Sequence, residues 1–172
     1  MTDSNWQDSV FDAIKAGGID LVGYVPDAGH AALIEKSIRD ADIVDVALTS
    51  EEEGVALCAG AWLGGRRTLL LMQSSGVGNC INMLSLQRIA RIPMVIIVTM
   101  RGEYAEFNPW QVPMGSTTER ALQLCDFQVQ RVDQAEAAAE TVAAAIDMAY
   151  AGDVAIAVLL SQKMLGRKKW QK

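Results

Sequence analysis

Short apolar runs rich in β-branched residues alternate along the chain with helical patterns of about 10 to 15 residues, the order expected of β-α-β units feeding a parallel sheet. An amphipathic helix is expected from about Asn5 to Ala16; it gives way at Gly17 and Gly18 to a strand over Ile19 to Val25, which Pro26 stops. A helix near His30 to Asp40 precedes a strand at Ile43 to Leu48, and an almost wholly apolar helix follows from Ser50 to Leu63. Because that helix is apolar all round, it is expected to be buried all round. Next come a strand at Thr68 to Met72, a Ser/Gly loop at Gln73 to Gly78, a helix to about Ala90 and a strand at Pro93 to Thr99. Periodicity then disappears: Arg101 to Thr118 holds two Pro, two Gly and three aromatics without a repeat, which predicts a long ordered loop of the functional kind. A last set (Glu119 to Cys125, Phe127 to Val132, Gln134 to Tyr150 and Val154 to Leu160) closes the pattern. The fold class is therefore α/β: a three-layer sandwich of about six parallel strands with helices on both faces.

Composition narrows the class. The 172 residues are 51% hydrophobic and 21% charged, enough apolar mass for one domain spanning 1–172, with no internal repeat or linker. Apolar stretches such as Met94 to Val98 are strand-sized, whereas a membrane span needs about 20 residues, and the N-terminus lacks a secretory pattern, so a cytoplasmic protein without a membrane is expected. A net charge of −6 argues against nucleic acid; the only basic concentration is the tail from Arg167 to Lys172. Three scattered cysteines and one His form no metal motif, so no metal ligand is expected on this chain, and the cysteines read as small buried hydrophobes.

Ligands in such sheets sit at the carboxyl ends of the strands, which singles out the loops Pro26 to His30, Thr49 to Glu53, Gln73 to Asn79 and Arg101 to Gly115. Glu51, Glu52 and Glu53 open the apolar helix. Acids there complement the helix dipole, yet a helix without a solvated face leaves at least one carboxylate at a buried edge, suited to exchanging a proton with a ligand nitrogen. Glu52 shares a side with Val55, Ala56, Ala59 and Leu63, but spacing alone does not choose among the three acids. The segment from Met72 to Asn79 either makes a tight turn or exposes N–H groups. Asp27 either caps the next helix or faces a ligand, and His30 either bonds structurally or transfers protons. Arg101 either pairs with Glu103 or Glu106, or binds an anion.

On these motifs the chain resembles the thiamine-diphosphate-dependent decarboxylases and acetolactate synthases. The resemblance rests on the Glu followed by Gly54-Val-Ala and Ala59-Gly-Ala-Trp62, on Ser75-Gly-Val-Gly-Asn79, on the Pro-led strand after Arg91, and on Val25-Pro-Asp-Ala-Gly-His30. The Arg101-Gly-Glu loop with downstream Gln111 and Gly115 is similar to that of sulfopyruvate and phosphonopyruvate decarboxylases. It implies the pyrimidine-type thiamine diphosphate-binding fold, with Glu52 at the aminopyrimidine N1′ if Gly60-Ala-Trp62 matches the family's Asp-Gly-Tyr; a neighbouring register selects Glu51 or Glu53. It further implies cofactor contacts from Pro26, Asp27, Gln73, Ser74, Ser75, Gly76, Gly78 and Asn79, and substrate contacts from His30, Arg101, Asn108 and Gln111, with His30 also a candidate proton donor.

The family's Gly-Asp-Gly motif for magnesium and the diphosphate is missing, since Gly152-Asp153 runs into Val154. The resemblance therefore implies an alpha subunit that pairs with a beta subunit carrying the diphosphate-binding domain and the Mg2+ ligands, in a hetero-oligomer. The implied reaction is loss of carbon dioxide from a 2-oxo acid, 3-sulfopyruvate first. The alternatives are phosphonopyruvate, carboligation, or a regulatory or assembly subunit without catalysis.

Overall fold

The computed structural model describes residues 6–166, so Asn5 and the basic tail from Arg167 lie outside the described residues. The chain runs α1 (Trp6–Ala16), β1 (Leu21–Tyr24), α2 (Ala31–Arg39), β2 (Val44–Ala47), α3 (Glu51–Leu63), β3 (Thr68–Gln73), α4 (Ser74–Cys80) and α5 (Ser85–Ala90). It continues with β4 (Met94–Thr99), α6 (Val112–Leu124), β5 (Gln128–Val132), α7 (Ala138–Gly152), β6 (Ala155–Leu160) and α8 (Gln162–Leu165). The six strands form one parallel sheet in the order β2-β1-β3-β4-β6-β5.

The two-residue period of the strands divides the core into two layers. Leu69, Leu71, Val95, Ile97, Ile156 and Val158 pack on one face with α1, α2 and α7. Leu70, Met72, Ile96, Val98, Ala157 and Leu159 pack on the other with α3, α4 and α6. β3, β4 and β6 are buried almost throughout, as central strands covered on both sides must be. After β1 the chain crosses outward to β2 and then returns to β3 on the opposite side of β1. The chain after β1 enters α2 on one face and the chain after β3 enters α4 on the other, so a crevice opens at their carboxyl ends.

Three expectations are corrected. The segment after β3 is helical from Ser74, not a loop; its glycines serve close packing rather than a turn, because a Cβ at Gly76 would lie 2.3 Å from the Glu51 carboxylate. The long loop ends early: α6 begins at Val112, since Pro113 sits in the first turn, where proline is tolerated. Gly115 is there because a Cβ would lie 2.1 Å from the Arg101 carbonyl oxygen. Nor is α3 buried all round. Glu52, Glu53, Ala56 and Gly60 are exposed and Leu63 is 83% exposed, so small apolar residues form an open stripe on this helix instead of a core face.

Candidate functional site

The crevice gathers the ends of β1, β3 and β4 with the start of α3. Of the three acids on α3, Glu51 is the buried one, 8% exposed, whereas Glu52 and Glu53 are exposed. Their division of labour follows from the helix start. Glu53 reaches back to accept from the Thr49 backbone N–H at 2.8 Å, which ties the turn before the helix. Glu51 turns inward against α4, where Gly76 leaves room for its carboxylate and Asn79 Nδ2 donates to its Oε2 at 3.1 Å. Spacing left the three acids open and the resemblance put Glu52 first, with Glu51 or Glu53 in a neighbouring register; the carboxylate that the helix buries is Glu51.

Glu51 lines a cleft of about 190 Å³ together with Val25, Pro26, Asp27, Gln73 and Ser75. Asp27 accepts at Oδ2 from the Gly29 N–H at 3.1 Å and the Thr99 hydroxyl at 2.7 Å, and at Oδ1 from Gln73 Nε2 at 2.9 Å. Its side chain makes an Asx turn, while the helix cap position falls to His30, whose side chain caps nothing. Ser75 donates to Gln73 Oε1 at 2.9 Å. Ser74 and Gly78 serve packing: the Ser74 hydroxyl accepts from the Arg101 N–H at 3.1 Å, and Gly78 faces Met114.

His30 does not reach the cleft. It is 0% exposed, with Nε2 3.1 Å from the Met72 carbonyl oxygen and Nδ1 without a partner. A carbonyl needs a donor, so Nε2 carries the proton, and burial pushes the imidazole below its ordinary range in spite of nearby Asp27. Burial likewise raises the Cys58 thiol to about 11 and the Cys80 thiol, beside Glu51, to about 12, so neither is a nucleophile at neutral pH.

Arg101 is committed. Its Nε and Nη2 donate to the Glu106 oxygens at 2.7 and 2.5 Å, and this two-pronged contact holds the Glu106 carboxyl at about 2. Gln162 Nε2 also donates to Glu106, and Gln162 Oε1 accepts from the backbone N–H groups of Glu103 and Tyr104. The segment after β4 is thereby tied to α8 after β6. The sequence expected Arg101 to meet a substrate anion or to pair internally, and the structure shows the pair. Asn108 caps the turn at Trp110, and Gln111 Oε1 is buried without a partner. A cavity of about 160 Å³ lies beyond Asp27, bordered by Gln7, Gly29, Thr99, Arg101 and Gln162.

Thr99 and Gln162 escaped the sequence reading, and Glu106 entered it only as a possible partner of Arg101. Gln162 lies two residues beyond the end of β6 and is accessible to the strand-end rule; Thr99 carries no motif. Among the described residues no group of three or more His, Cys, Asp and Glu side chains comes together to hold a metal ion, and no helix is long and apolar enough to cross a membrane.

A buried carboxylate that lines this cleft together with the Gln73 amide and the Ser75 hydroxyl is a ready acceptor for a ligand N–H. No protein-family model matches the chain. A sulfopyruvate decarboxylase subunit alpha from Methanococcus maripaludis is 41% identical over 124 residues, covering 72% of this chain and 74% of that protein. The subunit alpha from Methanocaldococcus jannaschii is 34% identical, covering 88% and 90%. A phosphonopyruvate decarboxylase from Streptomyces viridochromogenes is 41% identical over 113 residues, covering 64% of this chain but 28% of that longer protein. Among solved structures, the thiamine diphosphate-dependent 4-hydroxybenzoylformate decarboxylase of Rhodococcus jostii has the same fold over 98% of this chain and 34% of its own, with TM-score 0.72 and 17% identity.

Proposed function

We propose that this chain, which belongs to the family of sulfopyruvate decarboxylase alpha subunits, is the pyrimidine-binding half of a carboxy-lyase that converts 3-sulfopyruvate to sulfoacetaldehyde and carbon dioxide. The observation that carries the reading is Glu51, a buried carboxylate facing a cleft of about 190 Å³ at the switch point of the sheet. Thiamine diphosphate, bound with its pyrimidine there, supplies the electron sink that a 2-oxo acid needs to lose carbon dioxide. Glu51 accepts a hydrogen bond from the ring nitrogen, and Asn79 steadies the carboxylate through Oε2. Gln73, Ser75 and Pro26, which line the cleft with Asp27, would border the ring.

Gly152-Asp153 continues into Val154 at the end of α7, away from the crevice, so this segment lacks the Gly-Asp-Gly pattern that holds magnesium and the diphosphate. We therefore place the magnesium ligands and the diphosphate groups on a separate beta subunit, with the cofactor between the chains. Phosphonopyruvate is the second reading, favoured by 41% identity to a decarboxylase of that acid. The test is to reconstitute the chain with its beta subunit, thiamine diphosphate and magnesium and to follow carbon dioxide and aldehyde release from both acids. Release from sulfopyruvate at a kcat/KM at least tenfold above that for phosphonopyruvate is expected. The reverse preference selects the second reading, and no turnover of either acid by a cofactor-loaded complex contradicts both.

A further inference from the structure

The hydroxyl of Thr99 has no part in the chemistry proposed for Glu51, yet it donates to Asp27 Oδ2 at 2.7 Å, closer than the Gly29 N–H at 3.1 Å or Gln73 Nε2 at 2.9 Å approach the same carboxylate. We propose that Thr99 is a positioning residue that, with Gln73, fixes the Asp27 carboxylate at the boundary between the Glu51 cleft and the cavity beyond it. This role rests on the function proposed for the Glu51 cleft and assigns one more residue to that site.

Strand register brings the clamp together. Gln73 ends β3 and Thr99 ends β4, and the two are direct partners in the parallel pairing, so their side chains leave the same face of the sheet side by side. Both converge on Asp27, three residues beyond the end of β1: Gln73 Nε2 donates to Oδ1 at 2.9 Å and Thr99 Oγ1 donates to Oδ2. A slip of one residue in either strand would turn that donor to the other face and leave the carboxylate half held. Gly29 completes the clamp with its N–H at 3.1 Å, and only glycine fits, since a Cβ there would lie 2.7 Å from Thr99 Cγ2 and 2.8 Å from Asp27 Oδ2. The threonine is 1% exposed and β-branched, so its hydroxyl has one orientation and its methyl packs against Gly29. Asp27 is common to the lining of the Glu51 cleft and of the cavity bordered by Arg101 and Gln162. A carboxylate at that boundary, pinned by donors on both oxygens, has one plane and one direction in which to meet a substrate carried on the cofactor. Removing one donor from an ionised partner typically costs about 10 to 100-fold.

The test uses the reconstituted two-subunit enzyme with thiamine diphosphate, magnesium and sulfopyruvate or phosphonopyruvate, whichever it turns over. Thr99→Val keeps the methyl and removes the donor; Thr99→Ser does the reverse. The expected result is a fall in kcat of about tenfold in Thr99→Val with KM within about twofold, and recovery of most of it in Thr99→Ser. Asp27→Asn loses more, and adding Thr99→Val to Asp27→Asn costs little further, because the two act as one unit. Wild-type kcat in Thr99→Val, equal losses in the valine and serine variants, or a double variant whose loss is the product of the single ones would overturn the assignment. Full activity in Asp27→Asn alongside a dead Glu51→Gln enzyme would sink this inference and leave the proposed function standing. Full activity in Glu51→Gln would sink the proposed function itself.

Discussion

A helix's first turn distributes adjacent residues around its axis by about 100° each, so three consecutive glutamates meet three environments. Glu51 enters the crevice, Glu52 faces outward and Glu53 ties the preceding turn. The sequence showed that an acid had to lie at a buried edge, but not which, because α3 is apolar on its open side too and gives no phase. His30 was misplaced for a related reason: its position at a strand end was legible, its depth was not. Its burial makes a testable pH effect. The folded imidazole titrates below its ordinary 6.5, so the unfolded chain binds the proton first as pH falls, and stability declines below about pH 6.5. Replacing it in a His30→Gln variant is expected to flatten the decline in thermal midpoint between about pH 6.5 and 5 relative to wild type, whatever it costs at neutral pH; parallel curves would contradict a neutral buried imidazole.

At the scale of elements, most boundaries were legible because the strands and helices obey their periods, and the failures cluster where glycine and proline were read as breakers. Gly76, Gly78 and Gly115 lie inside helices and mark close approaches that no single-chain pattern reveals. Their neighbours differ, and so should their variants. The atoms nearest a Cβ at Gly76 are Oε1, Cδ and Cγ of the Glu51 side chain, which can swing aside where backbone cannot, so Gly76→Ala is expected to cost less in unfolding than Gly115→Ala, while activity falls at least tenfold as the carboxylate is pushed from the cleft. A Cβ at Gly115 meets the Arg101 carbonyl and Gly102, which are backbone, so Gly115→Ala is expected to cost about 3 kcal/mol or more in denaturant unfolding. The opposite ranking of the two stabilities would contradict the packing described for α4 and α6.

For the whole molecule, the sheet order places the crevice between the chain segments that leave β1 and β3, which is where the cofactor half-site is proposed. The α/β class and the six parallel strands follow from the alternating pattern, whereas the crossing of Arg101, Glu106 and Gln162 depends on loops brought together from distant strand ends. A site divided between chains has a thermodynamic signature. Thiamine diphosphate with magnesium is expected to raise the melting temperature of the two-subunit complex by several degrees and to leave this chain alone unmoved, since binding stabilises only the species that holds the ligand. An equal shift in the isolated chain would place the diphosphate site within it.

Everything proposed for the crevice depends on which carboxylate serves the cofactor, and kcat for sulfopyruvate decarboxylation by the reconstituted enzyme tests it directly in Glu51→Gln and Glu52→Gln. Loss of about a hundredfold or more in Glu51→Gln with near wild-type turnover in Glu52→Gln is the predicted result. Undiminished activity in Glu51→Gln, or a collapse confined to Glu52→Gln, would contradict it.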